Sequence, residues 1–191
     1  HVHCSILDDA GRNIFNDGGE KGTAELQHAI GGCLKHMAES FAVLAPSFNA
    51  YRRFQKGSHA PTTPNWGYEN RTVAVRVPAG SPAARRFEHR VAGADANPYL
   101  MFAVILAAAL DGIERNLSPG PETRGDGYDS DEPQLPVHMQ GALRLFGASS
   151  FISDALGPEM QRIFGLTKTQ ELEEFQRHIT ALEYHAYLER L

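Results

Sequence analysis

Cysteine is scarce in this sequence. Of its 191 residues only Cys4 and Cys33 are cysteines, and they form neither a C-x-x-C pair nor a dense framework. Zinc-binding modules and disulfide-stapled domains need more cysteines at closer spacing, so the sequence indicates neither. We therefore expect a reducing, cytoplasmic setting.

Long hydrophobic runs are absent as well. The longest extends from Tyr99 to Leu110, well short of the roughly 20 apolar residues that a membrane-spanning helix requires. No signal-peptide pattern opens the sequence. We expect a protein that is neither secreted nor bound to a membrane.

The sequence also lacks an excess of basic residues. It has 18 lysines and arginines against 23 aspartates and glutamates, which gives a formal net charge of -5. Binding nucleic acid through a general basic surface needs the opposite balance, because it rests on neutralising phosphates. The glycine-rich signatures of dinucleotide-binding and P-loop proteins and the G-x-S-x-G elbow of hydrolases are missing too. Any nucleotide must therefore be bound by other means.

Hydrophobic patterning predicts one globular α+β domain, since 42% of the residues are hydrophobic and 21% are charged. Alternation predicts strands at 1–7, 71–78 and 84–91, and helical periodicity predicts helices at 23–46, 97–114, 138–147, 151–164 and 169–190. We expect the second and third strands to form an antiparallel pair. The helix at 97–114 is apolar nearly all round and should be buried. Segments 46–70 and 119–136 are predicted loops, and the first is rich enough in aromatic and arginine side chains to suggest a function.

One face of the strand at 84–91 carries a row of charges. Arg86, Glu88 and Arg90 occupy alternate positions and therefore project from the same side. If the strand at 71–78 is adjacent, Arg76 joins them and three arginines surround one carboxylate. Arginine suits phosphate oxygens, and a glutamate among arginines stays ionised and can hold Mg²⁺. A solvated salt-bridge ladder and the wall of a phosphate and metal site both remain open.

The first strand places His1, His3 and Ser5 on one face. Two histidines at this spacing could bind a divalent metal ion. Such pairs are also common at protein surfaces and in packing, so the pair alone decides nothing.

Six motifs occur in an order that is typical of a known family. They are HVHCS, FNAYRRF, GSHAP, WGYENRTVAVRVP, RRFEHRV and ADANPYL. In sequence and spacing they resemble the motifs of the glutamine synthetase family, and most closely its γ-glutamylpolyamine branch, typified by γ-glutamylputrescine synthetases. The resemblance is dense from His1 to Glu114 and thinner afterwards. It implies that residues 1–191 are the C-terminal part of the catalytic domain, with part of its antiparallel sheet packed against helices.

The resemblance implies an ATP-dependent ligase that joins the γ-carboxylate of glutamate to an amine through γ-glutamyl phosphate. The family's N-terminal domain and upstream catalytic strands, which supply most of its metal-binding glutamates, would lie outside this chain. A neighbouring subunit of a ring-shaped homo-oligomer would close each active site. We therefore expect the whole protein to be active and this chain alone to have little or no activity.

The resemblance further implies roles for individual residues, with Mg²⁺ or Mn²⁺ as the metal ion. His1 and Glu88 would be metal ligands. The residues that would bind ATP are His3, Ser5, Arg71, Arg76 and Arg86. The residues that would bind glutamate, its acyl phosphate or the acceptor are Arg53, His59, Arg71 and Arg90, of which Arg53 and Arg71 would be catalytic.

Two positions depart from the family pattern. Glutamine synthetases proper have a glutamate tied to the ammonium site where this sequence has His59, which favours a polyamine such as putrescine as the acceptor. A lysine between the two strands is replaced by Ala83 or Ala84. A glutamine synthetase that uses ammonia and a non-catalytic structural relative remain alternatives. Tyr128 falls near a tyrosine that some members adenylylate, but it is more simply an unmodified tyrosine in an acidic loop.

Overall fold

Four short strands form one mixed sheet in the computed structural model, which describes residues 1–188. The strands are β1 (Val2–Cys4), β2 (Trp66–Tyr68), β3 (Val75–Val77) and β4 (Phe87–His89), and their order in the sheet is β1-β4-β3-β2. The helices are α1 (Ala24–Lys35), α2 (Phe41–Leu44), α3 (Pro98–Glu114), α4 (Met139–Ala148), α5 (Ser150–Leu156), α6 (Pro158–Arg177) and α7 (Ala181–Tyr187). The predicted α+β class is confirmed.

The predicted antiparallel pair is the centre of this sheet. β3 pairs with β4 in antiparallel register, and β4 pairs in the same way with β1. The strands are shorter than the alternating segments of the sequence, and β3 begins only after a bend at 71–74. Val75, Val77 and Phe87 are buried on the opposite side from the charged row, which fixes one face of the sheet to the hydrophobic core.

β2 was wrongly assigned to a loop by the sequence pattern. It runs parallel to β3, with Trp66 opposite Val75 and Tyr68 opposite Val77. The turn that returns the chain is anchored by Asn65, whose backbone oxygen accepts from the Val75 N–H at 3.0 Å. Three residues are too few to show the alternation of a strand in the sequence, so β2 is recognised only from its contacts in the structure.

The first long helix is interrupted, contrary to the prediction of one helix up to Pro46. α1 starts at its N-cap Thr23, ends at Lys35, and is followed after a turn by α2. Gly32 of α1 lies against α3: a Cβ there would lie 1.9 Å from the Ala108 backbone oxygen. The two helices therefore approach backbone to backbone, which accounts for glycine in the middle of a helix.

A buried histidine joins three helices at the end of α1. The ring of His36 is 5% exposed and stacks on Phe151 of α5, with 3.8 Å between the ring centroids. His36 Nε2 lies 2.8 Å from Asp111 Oδ2 on α3, and Nδ1 pairs with Glu39. Glu39 Oε2 in turn accepts from the hydroxyl of Ser149, the N-cap of α5, at 2.5 Å. We refer to His36, Glu39, Asp111 and Ser149 as the His36 hub.

Helix α3 begins as predicted but is not buried all round. Asn97 is the N-cap, accepting from the N–H of Tyr99, and Pro98 is the first helical residue. Val104 and Ile105 are buried, whereas Tyr99, Phe102, Leu106 and Leu110 are between 46% and 83% exposed. α1 covers one side of the helix, and the part of the chain that the structure describes leaves the opposite apolar side uncovered.

The C-terminal helices end at different places from those predicted. α4 falls within one residue of 138–147, but α6 continues through the predicted break near residue 166. The break occurs at Gly157, whose φ of +84° favours glycine, and Pro158 begins the next helix. The predicted helical residues 189 and 190 lie outside the described residues. Within residues 1–188, every helix is too short or too polar to cross a membrane.

Candidate active site

A single row of side chains crosses the sheet on the face opposite the core. His3 of β1, Glu88 of β4, Arg76 of β3 and Gly67 of β2 are paired position by position. Residues that are paired across neighbouring strands point to the same face. The row therefore brings together an imidazole, a carboxylate and a guanidinium, and it ends at a glycine.

The carboxylate of Glu88 is the centre of this row. It is 5% exposed, and a buried carboxylate needs cationic or hydrogen-bonding partners. Its Oε1 lies 2.9 Å from His1 Nδ1 and 3.8 Å from His3 Nε2. Its Oε2 lies 3.1 Å from Arg76 Nη1 and 3.7 Å from Arg90 Nε. Two arginines thus lie on one side of the carboxylate and two imidazoles on the other.

The imidazole of His3 is oriented by a second arginine. Arg86 Nε donates to His3 Nδ1 at 3.1 Å, and Arg86 Nη1 donates to the backbone oxygen of Ala84 at 3.1 Å. Because arginine only donates, Nδ1 must be the unprotonated nitrogen of His3. Its N–H is then on Nε2 and points toward Glu88, so the ring is poised between the carboxylate and the guanidinium.

Arg90 extends the cluster toward the loop at 46–70. Its Nη1 donates to the backbone oxygen of Val73 at 2.9 Å, and its Nη2 donates to that of His59 at 3.4 Å. Burial lowers the pKa of Arg90, against the effect of the neighbouring Glu88. His59 itself has a left-handed backbone with φ of +61°. Arg90 therefore fixes the backbone of His59 beside the row, whereas the side chain of His59 is exposed.

Arg53 reaches the same region from the short 3₁₀ helix Phe48–Arg53. Its Nη2 donates to the backbone oxygen of Val91, the residue after Arg90, and its guanidinium lies 4.5 Å from the ring centroid of Phe54. Burial lowers the pKa of Arg53. The guanidinium is half-buried at the end of β4, next to the charged row.

The structure thus brings most of the predicted residues together. Direct contacts join six of them: His1, His3, Arg76, Arg86, Glu88 and Arg90. Arg53 and His59 are linked to the cluster through backbone oxygens. Arg71 is exposed, and its charge acts on both Arg90 and Glu69. Ser5 is exposed just beyond β1 and has no side-chain hydrogen bond to the cluster among the described residues.

Two features of the site were not predicted from the sequence. Glu69 binds Arg76 from the side opposite Glu88, with Arg76 Nη2 lying 3.2 Å and 3.3 Å from its two oxygens. The acidic loop is attached to the segment that carries His59, since the hydroxyl of Tyr128 donates to the backbone oxygen of Ala60 at 3.0 Å. Glu69 lies two residues before Arg71 in the motif WGYENRTVAVRVP. Its place in that motif is the sequence signal that makes it a candidate for testing.

The donor atoms on this face meet part of the requirement for a divalent metal ion. His1 Nδ1 and Glu88 Oε1 converge at 2.9 Å, and nitrogen and carboxylate oxygen are both ligands for such ions. No group of three or more histidine, cysteine, aspartate or glutamate side chains in residues 1–188 is arranged to hold a metal ion. The described part of the chain therefore offers two candidate ligands rather than a complete set.

Comparison with known proteins gives a consistent result. The family model described as "Glutamine synthetase, catalytic domain" matches residues 1–187. Gamma-glutamylputrescine synthetase PuuA of Escherichia coli is 38% identical over 183 residues, which cover 96% of this chain and 39% of that protein. Gamma-glutamylethanolamide synthetase GlnA4 of Streptomyces coelicolor is 36% identical over 191 residues, covering 100% of this chain and 41% of that protein.

A solved structure supports the same relationship. A complex of GmaS with ADP superimposes with a TM-score of 0.87 and 33% identity, over 98% of this chain and 45% of that chain. The chain therefore spans about two fifths of the length of the curated relatives described here. The similarity covers both the charged row and the helices behind it.

Proposed function

The chain belongs to the glutamine synthetase family, and on that premise we propose that the protein carrying it is an ATP-dependent ligase that joins the γ-carboxylate of glutamate to a primary amine. The observation that carries the proposal is the buried carboxylate of Glu88, held between two arginines and two histidines on one face of the sheet. Such a face suits phosphate oxygens and a divalent ion, because guanidinium groups donate to phosphate oxygens and a carboxylate oxygen is a ligand for such an ion.

The proposed reaction has two steps. A γ-carboxylate oxygen of glutamate first attacks the terminal phosphorus of ATP, and the bond from that phosphorus to the bridging oxygen breaks, so that ADP leaves with the electron pair. The amine nitrogen then attacks the acyl carbon of γ-glutamyl phosphate, the carbon–oxygen bond to phosphate breaks, and the nitrogen loses a proton to solvent or a base. Negative charge spreads over the phosphoryl oxygens in the first step, so fixed guanidinium groups around them stabilise its transition state.

We assign the nucleotide side of the site to the arginines along the row. Arg76 and Arg71 bind the phosphoryl group that is transferred, and Arg86 binds the nucleotide together with His3 and Ser5. Within residues 1–188, the hydrogen bonds of Arg86 go to an imidazole nitrogen and a backbone oxygen, and no carboxylate there compensates its charge, which supports this role. Positive charge that is fixed in place and not neutralised attracts an anionic ligand.

We assign the glutamate side of the site to the end of β4. Arg53 binds the α-carboxylate of glutamate, and Arg90 lies nearer to the γ-carboxyl group and its acyl phosphate. Both guanidiniums are held by backbone oxygens, of Val91 and of Val73 and His59 respectively. They are therefore oriented before substrate binds, which lowers the entropic cost of binding.

His1 and Glu88 would hold Mg²⁺ or Mn²⁺, which when bound neutralises negative charge on the phosphate oxygens. The remaining ligands would come from parts of the protein outside residues 1–188, in keeping with the partial donor set on this face. Closure of the site by a neighbouring subunit of a ring-shaped homo-oligomer belongs to the same proposal. We accordingly expect negligible turnover by the 191-residue chain alone.

An organic amine is the acceptor that we favour. The segment GSHAP presents His59 where glutamine synthetases proper carry a glutamate for ammonium, and an imidazole provides no fixed negative charge for that small cation. The side chain of His59 is exposed at the edge of the site. Two similar proteins are named for putrescine and ethanolamide products, which supports an organic amine such as putrescine.

Two alternatives make different predictions. A glutamine synthetase from Halobacterium salinarum is 33% identical over 200 aligned residues, so ammonia is the rival acceptor. A non-catalytic relative is the rival from another class, but a decayed site would be expected to lose part of the connected arrangement around Glu88.

The test is phosphate release by the whole protein with ATP, Mg²⁺ and glutamate, comparing putrescine, spermidine, ethanolamine and ammonia. Turnover with an organic amine and little with ammonia supports the proposal. Preference for ammonia identifies a glutamine synthetase, and no turnover with any acceptor favours the non-catalytic relative. Glu88→Gln is the matched control, since it keeps the size of the side chain and removes its charge.

A further inference from the structure

Glu69 has an unusual backbone and an unusual set of contacts. It follows β2 directly and has a left-handed φ of +50°, which is uncommon for a residue other than glycine. Its N–H donates to the backbone oxygen of Val77 at 3.0 Å. Its carboxylate accepts from the N–H of Ala79 and from Arg76 Nη2, so one side chain joins the end of β2, the turn after β3 and the charged row.

These contacts place Arg76 between two carboxylates. Arg76 Nη1 faces Glu88 at 3.1 Å, whereas Nη2 lies 3.2 Å and 3.3 Å from the two oxygens of Glu69. The side chain of Arg76 is 14% exposed. Its Nε is buried and has no hydrogen-bond partner among the described residues. The orientation of the guanidinium therefore depends on its two Nη groups, one for each carboxylate.

The sheet explains why Arg76 is held by residue 69 and not by the residue directly opposite it on β2. The neighbour of Arg76 across the sheet is Gly67, and a Cβ there would lie 2.8 Å from the backbone oxygen of Thr123. A larger residue does not fit at this position, so β2 cannot hold Arg76 with a side chain directly opposite. Glu69 is the next residue along that can face the row, and the left-handed turn directs its carboxylate back to Arg76.

We propose that Glu69 is a positioning residue that fixes the guanidinium of Arg76 for the phosphoryl group of ATP. Glu88 alone could hold Arg76 by one nitrogen, and the guanidinium would then be able to rotate about that contact. With Glu69 the group is held at both Nη atoms. The hydrogen bond from Ala79 keeps Glu69 itself in place. This inference rests on the proposed function, because Arg76 is the residue assigned there to the phosphoryl group.

The kinetic test uses the whole protein with its preferred amine. Glu69→Gln keeps the shape of the side chain but weakens its hydrogen bonds to Arg76. We therefore expect KM for ATP to rise about tenfold, which corresponds to about 1.4 kcal/mol. KM for glutamate should stay within about twofold, and a lost fold would not produce this difference. Glu159→Gln is the matched control, because it breaks an exposed ion pair with Arg162 on α6. Equal changes in both KM values, or none in either, would overturn the inference.

A second measurement does not depend on activity. In NMR spectra of the 191-residue chain, Arg76 should show separate, slowly exchanging Nη signals, because both ends of its guanidinium are held. These signals should merge in Glu69→Gln and persist in Glu159→Gln. If the unsubstituted whole protein has no turnover, the proposed function fails, and the NMR result still decides whether Glu69 restrains Arg76. Merged signals in the unsubstituted chain would contradict the inference.

Discussion

Replacing His36 by alanine should destabilise the chain more than any single change of an exposed charge. His36 connects α1, α3 and α5 through Asp111, Glu39 and the stacked ring of Phe151. Both ring nitrogens face carboxylate oxygens, and hydrogen bonds to carboxylates are stronger than those between neutral groups. The substitution therefore removes two charged hydrogen bonds and an aromatic contact at one buried point.

The expected magnitude follows from these contacts. A hydrogen bond to a charged group contributes about 1.5–3 kcal/mol, and an aromatic stack about 0.5–1.5 kcal/mol. The side chains of Glu39 and Asp111 are each 25% exposed, so water can replace part of what His36 supplied. We expect the free energy of unfolding to fall by about 3 kcal/mol, which for a chain of this length corresponds to a loss of roughly 6–12 °C in Tm.

The assay is urea unfolding of the 191-residue chain at pH 7, followed by circular dichroism. Arg115→Gln is the matched control, since it removes an exposed partner of the same Asp111 at 3.5 Å and should cost less than about 0.5 kcal/mol. A double-mutant cycle of His36→Ala with Asp111→Asn should give a coupling of about 1–3 kcal/mol. A coupling near zero, or equal losses for His36→Ala and the control, would refute the account of the hub.

The remaining predictions concern acid stability, helix packing and the acidic loop. Although burial tends to raise it, the pKa of Asp111 is held below its usual value by its hydrogen bond and charge pairing with His36. The resulting stabilisation is fully present above the unfolded pKa near 3.9 and is lost as pH falls through the lower folded value. Asp111→Asn should therefore flatten the dependence of the free energy of unfolding on pH between about pH 5 and pH 2. Gly32→Ala should lower the free energy of unfolding in urea by about 3 kcal/mol, because its Cβ would collide with a backbone oxygen of α3; an unchanged midpoint would show that the helices can move apart. Tyr128→Phe removes the hydrogen bond to Ala60 and should speed amide hydrogen exchange around Ala60 about fivefold, corresponding to about 1 kcal/mol, whereas unchanged exchange would mean that other contacts hold that segment.

The elements predicted correctly are those with local signals. Asn97 and Pro98 mark the start of α3 by their own chemistry, and the alternation in 84–91 marks β4 and the face on which Glu88 lies. β2 has no comparable signal, because its pairing depends on Asn65 contacting residues nine and ten positions further along. The exposed side of α3 could not be predicted for a similar reason. Composition indicates an apolar helix, but it does not indicate which of its sides another element covers.

The residues of the candidate site also fall into those with a local signal in the sequence and those without one. Alternation alone places Arg86, Glu88 and Arg90 together, whereas Glu69 reaches Arg76 only because its backbone takes a left-handed turn that no local rule assigns to glutamate. The sequence pattern therefore predicts which residues share the face of the sheet. It does not predict which residues approach that face from its edge, and the specificity of a site often depends on those.

The balance of charge bears on the two interpretations of the row that the sequence leaves open. In a ladder built for stability, each guanidinium would have a carboxylate partner. In the part of the chain that the structure describes, the hydrogen bonds of Arg53, Arg86 and Arg90 go to backbone oxygens or an imidazole, and Arg76 is the one of these four that donates to carboxylates. Arg90 lies 3.7 Å from Glu88, a carboxylate that it shares with Arg76. Since the chain as a whole is negative by 5 charges, this concentration of positive charge is local to one face, and holding it there without bound anions is costly. An anionic ligand would relieve that cost, so the arrangement favours a site for phosphate and carboxylate groups over a ladder of salt bridges.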